Sequence, residues 1–96
     1  MANQAIGILE TRGLTALVQG TDAMLKAANV QILGPMKGVG SGLVSATVTG
    51  DVAAVNAAIE TGADTAGRYG EVVTAHVIAR PHNDTAKLMP STKSKK

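Results

Sequence analysis

Twice along this chain a stripe of apolar residues at helical spacing is bracketed by short runs rich in β-branched residues, and the two halves meet at a glycine-rich joint. Residues 5–9 suit a short buried strand. After the turn at Glu10, Thr11, Arg12 and Gly13, the residues Leu14, Leu17, Val18, Met24, Leu25 and Ala28 recur at the 3.6-residue period, broken only at Thr21. Residues 30–33 read as a second strand and 43–49 as a third. Val52, Val55, Ala58, Ile59, Ala63 and Ala66 then mark a second helix, with Gly62 letting a neighbour come close, and residues 72–78 make the fourth strand. Thr11 is a candidate N-cap of the first helix and Asp51 of the second, because a short oxygen-bearing side chain can accept from the free N–H groups of a first turn. Asn29 is placed to end the first helix, since Asn tolerates a left-handed cap. The order β-α-β, joint, β-α-β predicts an α+β, ferredoxin-like split β-α-β fold. It has a four-stranded antiparallel sheet with two main helices on one face, and residues 83–89 add a short C-terminal helix before Pro90. One sheet face and two edges are then left for water or for neighbours.

Composition decides what kind of core this is. With 96 residues there is room for one domain. Its apolar mass is aliphatic, with one Tyr and neither Phe nor Trp. Small side chains in a small domain make a thin core, and such domains gain stability by associating. The formal charge of +2 comes from the end of the chain: Lys87, Lys93, Lys95 and Lys96 follow a body with five basic and seven acidic side chains. The domain is therefore expected to occupy residues 1–90, with residues 91–96 as a disordered basic tail. An acidic body without stacking aromatics argues against nucleic acid. No secretory signal opens the sequence, and no apolar stretch approaches the ~20 residues of a membrane helix, so a cytoplasmic chain is expected.

The joint, Gly34-Pro35-Met36-Lys37-Gly38-Val39-Gly40-Ser41-Gly42, invites comparison with phosphate cradles. Lys37 precedes the last glycines, whereas a P-loop has its lysine after them, and the residues from Leu43 onward are strand-like instead of helical. The helix N-terminus that would face an anion is missing. Catalytic chemistry finds no foothold either. His76 lies within a strand, where a partly buried, satisfied imidazole is expected, and neither it nor His82 has a second ligand at metal spacing. Ser41 has no sequence-evident base. Glu60 and Asp64 sit one turn apart on a solvated helix face. No catalytic residue, metal site or cofactor is expected, and the chain is expected not to be an enzyme.

Five segments carry a resemblance. They are Ala5-Ile6-Gly7-Ile8-Leu9-Glu10-Thr11-Arg12-Gly13-Leu14, Asp22-Ala23-Met24-Leu25-Lys26-Ala27-Ala28-Asn29-Val30, Gly40-Ser41-Gly42-Leu43-Val44, Gly50-Asp51-Val52-Ala53-Ala54-Val55 and His76-Val77-Ile78-Ala79-Arg80-Pro81-His82. In order and spacing they resemble the single-domain, hexamer-forming shell proteins of bacterial microcompartments. The resemblance implies a structural protein of the microcompartment shell, a cyclic hexamer that tiles edge to edge with itself and with other shell proteins. It implies that Lys37, Gly38, Val39, Gly40, Ser41 and Gly42 line a central pore for small polar metabolites. It also implies that Lys26, Asn29 and Arg80 form the edge between hexamers, with Arg80 donating to carbonyls across the seam. The family commonly reads Gly-aromatic-Glu-Lys-Ile-Gly-Ser-Gly at the pore. This chain is one residue longer there and lacks the aromatic and the acid. The alternative on the same fold is an ACT-type regulatory domain, a dimer binding a small molecule at its interface.

Overall fold

The computed structural model describes residues 4–82, so the expected helix at 83–89 and the tail at 91–96 lie outside the described residues. Seven elements succeed one another: β1 (Ala5–Arg12), α1 (Leu14–Ala27), β2 (Gln31–Ile32), β3 (Lys37–Gly40), β4 (Leu43–Gly50), α2 (Val52–Ala66) and β5 (Glu71–Ile78). The sheet runs β2-β4-β1-β5 with β3 also on β4, and each pairing is antiparallel. This is the split β-α-β order expected, with one correction. The sheet has five strands, because the second half of the glycine joint is itself a strand. β2 covers Val48 and Thr49 of β4, and β3 covers Val44 and Ser45 along the same side. They form one edge strand interrupted at Gly34, whose φ is 70°, and at Pro35, which has no N–H to give a ladder.

Both helices lie on the sheet face that carries Ala5, Leu9, Ala46 and Val48. The core adds Ala16, Leu17 and Met24 from α1, and Val55, Ala58, Ile59 and Ala66 from α2. Its side chains are short, and the helices close the gap by approaching each other. A Cβ on Gly20 would stand 2.9 Å from the carbonyl oxygen of Gly62, from the Ala66 Cβ and from Leu9 Cδ2. The opposite sheet face is mixed, with Ile6, Ile8 and Ile78 toward one end, Glu10, Ser45, Thr47 and Thr74 half-buried and His76 exposed. The imidazole expected to be partly buried thus stands in the open.

Four local expectations change. β1 continues to Arg12, because Glu10, Thr11 and Arg12 pair with Ser45, Val44 and Leu43. Thr11 therefore does not cap α1. Its hydroxyl donates to the Gly13 carbonyl at 2.9 Å, and Gly13, with φ 100°, takes the cap position. α1 ends at Ala28 in extended backbone with its N–H on the Met24 carbonyl, so Asn29 adopts no left-handed cap. The chain turns back into β2 through extended backbone at Ala28 instead of through a left-handed residue. Asp51 does hold the cap position of α2, yet its carboxylate makes no cap bond; its carbonyl accepts from Val55 N–H at 2.8 Å. Finally, the expected stripe of α1 is wider than its buried arc. Leu17 and Met24 are fully buried, whereas Leu14, Val18 and Leu25 are 57%, 45% and 46% exposed, as is Val52 on α2 at 44%.

Candidate functional site: a glycine hairpin and the opposite strand end

β3 and β4 form a hairpin whose two-residue turn is Ser41 and Gly42, flanked by the pair Gly40 and Leu43. Gly40, Ser41 and Gly42 all have positive φ, at 91°, 57° and 77°. Two-residue hairpins require such left-handed residues because their twist then matches that of the strands. Ser41 is the only non-glycine with positive φ among the described residues. The register slips between Gly38 and Gly40, so Val39 is an unpaired bulge residue, 73% exposed. All six residues from Lys37 to Gly42 are exposed.

The tip is tied to the body at two points. Gly13 N–H donates to the Gly42 carbonyl at 2.7 Å. Arg12 Nη1 donates to the Ser41 carbonyl at 3.0 Å, and Arg12 Nε pairs with Glu71 Oε1 at 3.1 Å. Sequence reasoning does not find Arg12 or Glu71. The signal exists only in the register, where Leu43, Arg12 and Glu71 share one row across three strands.

The edge residues lie at the other end. In the last row of the sheet Ile78, Ile6, Thr49 and Gln31 are neighbours across β5, β1, β4 and β2. Arg80 comes just after β5 and Asn29 just before β2, so they extend past the same sheet end from opposite edges. Three strand spacings of about 4.8 Å separate those edges. Within one chain the structure therefore does not bring Asn29 and Arg80 together. Asn29 lines a polar recess of about 210 Å³ with Gln4, Gln31, Thr49, Gly50 and Asp51. Lys26, in the last turn of α1, pairs with Asp22 at 2.8 Å one turn earlier, with its side chain 76% exposed. The hydrogen bond it donates to Asp22, and then the Asp22 charge, raise the Lys26 pKa above the ordinary 10.5. Ser41 at one end of β1 and Ala5 at the other are thus separated by the length of an eight-residue strand, about 23 Å at 3.3 Å per residue.

Among the described residues, no three His, Asp or Glu side chains group as metal ligands, and no helix is long and apolar enough to cross a membrane. Glu60 and Asp64 are exposed as expected, and Asp64 pairs with Arg68 at 2.9 Å.

Comparison with known proteins shows the family. The BMC domain model matches residues 5–81. The chain is 51% identical over 90 residues to the bacterial microcompartment shell protein PduA of Citrobacter freundii, covering 94% of this chain and 96% of that one. It is 52% identical over 87 residues to the shell protein EutM of Escherichia coli K12, covering 91% and 89%. The carboxysome shell protein CcmK2 of Thermosynechococcus vestitus is 47% identical over 88 residues, 90% of this chain and 85% of that one. A solved microcompartment protein from Desulfitobacterium hafniense superposes with a TM-score of 0.75 at 31% identity, over 83% of this chain. The chain spans 43% of that protein's length. These relatives support a structural shell role and give nothing to the ACT-type alternative. With most of its length matched by the domain model and about half its residues shared with such proteins, the chain belongs to the BMC-domain family of bacterial microcompartment shell proteins.

Proposed function

We propose that the chain assembles as a cyclic homohexamer that tiles with itself and with other shell proteins into microcompartment facets, with a central pore for small polar metabolites. The observation that carries this reading is the separation of the two candidate sites. The hairpin tip lies at one end of the sheet, and the residues of the expected edge lie at the other. A ring needs this polarity, with one end of each copy at the axis and the other at the rim. Lys37, Gly38, Val39, Gly40, Ser41 and Gly42 line the opening, with Lys37 farther out than Ser41. Lys26, Asn29 and Arg80 meet their counterparts in the next hexamer, since Asn29 and Arg80 sit too far apart in one chain to serve each other. The exposed Leu14, Val18 and Leu25, spaced four and seven apart on one face of α1, leave apolar surface for another copy to cover. The protein acts by forming a barrier and passing solutes and performs no catalysis.

Ser41→Leu tests the pore. Six apolar side chains at the opening would narrow and dry it, raising the barrier for any polar solute. Ring mass is expected to stay near wild type, because Ser41 is exposed and its hydroxyl makes no bond among the described residues, while the left-handed φ of 57° makes leucine costlier than serine in the free chain. Flux of a small polar metabolite through shells built with Ser41→Leu should fall. Unchanged flux with normal assembly would overturn the assignment.

A further inference from the structure

We propose that Arg12, steered by Glu71, is the positioning residue that makes the hairpin tip a hydrogen-bond donor surface toward passing solutes. The inference rests on the pore reading and specifies what that pore prefers. The turn has two carbonyl oxygens, two N–H groups and one hydroxyl. Both carbonyls are occupied from the body side, Gly42 O by the Gly13 N–H at 2.7 Å and Ser41 O by Arg12 Nη1 at 3.0 Å. The N–H groups of Ser41 and Gly42 and the Ser41 hydroxyl have no partner among the described residues. Successive N–H groups in a left-handed turn form a concavity suited to anions and to other oxygen acceptors.

Arg12 is suited to this because its planar guanidinium donates in two directions at once. Nε is taken by Glu71 at 3.1 Å, which fixes the plane, and Nη1 then points at the Ser41 carbonyl. The stem runs beneath the turn, for a Cβ on Gly42 would stand 3.6 Å from Arg12 Cγ. A lysine has the charge, but its ammonium donates from a single point and lacks the rigid planar fork that sets Nε and Nη1 apart. Because Glu71 offsets the charge, the device works through orientation instead of through a bare positive ring. Around a six-fold axis it repeats six times, and solutes bearing carboxylate or similar oxyanions are favoured over cations of the same size.

Two measurements on the assembled protein test this. The first is the carbonyl ¹³C resonance of Ser41, which reports its hydrogen bond in the purified protein whether or not anything passes the opening. The second is the ratio of acetate to methylammonium flux through assembled shells. Arg12→Met should shift the resonance and lower the ratio by about two- to tenfold, the worth of one hydrogen bond per subunit. Arg12→Lys should do the same although the charge is kept, and Glu71→Gln should act in the same direction more weakly. An unmoved resonance in Arg12→Met, an unchanged ratio, or full restoration of the ratio by Arg12→Lys would overturn the proposal. The last result would mean that charge alone sets the preference. If Ser41→Leu blocks flux while Arg12→Met changes neither readout, only the Arg12 assignment falls. If Ser41→Leu leaves both fluxes unchanged, the pore reading falls and the solute preference with it.

Discussion

Lys26 shows how little of a residue's role lies in its own side chain. On an isolated helix it is a solvated lysine with an Asp four residues before it, an orientation that favours the pair modestly and is screened by salt. The hydrogen bond to Asp22 and the Asp22 charge raise its pKa, so the pair extends the charged form to higher pH. The stabilisation from this pair is present below the ordinary value of 10.5 and is lost as the pH rises through the elevated folded value. We predict that NMR titration of Lys26 Cε gives a midpoint above 10.5 in the wild type, moving back toward it in Asp22→Asn. An identical midpoint in both proteins would mean that the pair does not persist in solution. Ser41 makes the converse case, since its φ of 57° is imposed by the hairpin and its identity adds only a hydroxyl.

At the scale of elements, the contact between α1 and α2 depends on having no side chain at two positions. Met24 lies against Gly62, and Gly20 faces the Gly62 carbonyl, the Ala66 Cβ and Leu9 Cδ2, each 2.9 Å from where its own Cβ would be. Alanine is the better helix former by about 1 kcal/mol. A backbone oxygen cannot step aside as a flexible side chain can, so steric cost should exceed that gain. We predict that Gly20→Ala lowers the stability of the folded unit by about 1–3 kcal/mol, read as a lower midpoint in denaturant. A variant as stable as wild type would show that the helices separate freely, contrary to the packing described. The exposed residues of α1 belong to the same scale. Leu14, Val18 and Leu25 continue the apolar arc beyond what this sheet covers, which is why a stripe of correct period included residues that are not core.

For the whole molecule, a thin aliphatic core and an uncovered helix stripe predict association. We expect light scattering at micromolar concentration to give six times the 9.7 kDa of the chain, and a stable monomer would overturn the ring. Lys26→Asp should leave that mass intact and abolish extended sheets under conditions where the wild type forms them. Aspartate there faces Asp22 one turn away with like charge and lacks both the donors and the long stem that lies flat against a neighbour. Sheets that persist in Lys26→Asp would place the edge elsewhere.

The order of strands and helices, the aliphatic core and the family were legible in the sequence, because period, β-branching and local motif spacing are properties of neighbouring residues. Gly62 as a close-approach site and Asp51 as the start of α2 were legible for the same reason. The end of α1 was not, since Asn29 has the chemistry of a left-handed cap while the path into β2 calls for extended backbone. Thr11 has the residue type of a helix cap, yet pairing with Val44 and Val72 draws it into β1. The joint, with its glycines, has the composition of a loop; only the ladder offered by β4 turns Lys37–Gly40 into a strand and Val39 into its bulge. Arg12, Glu71 and Ser41, far apart in sequence, become one device through register alone. Local preference wrote the elements, and long-range pairing, where one row of a sheet sets distant residues side by side, decided the site.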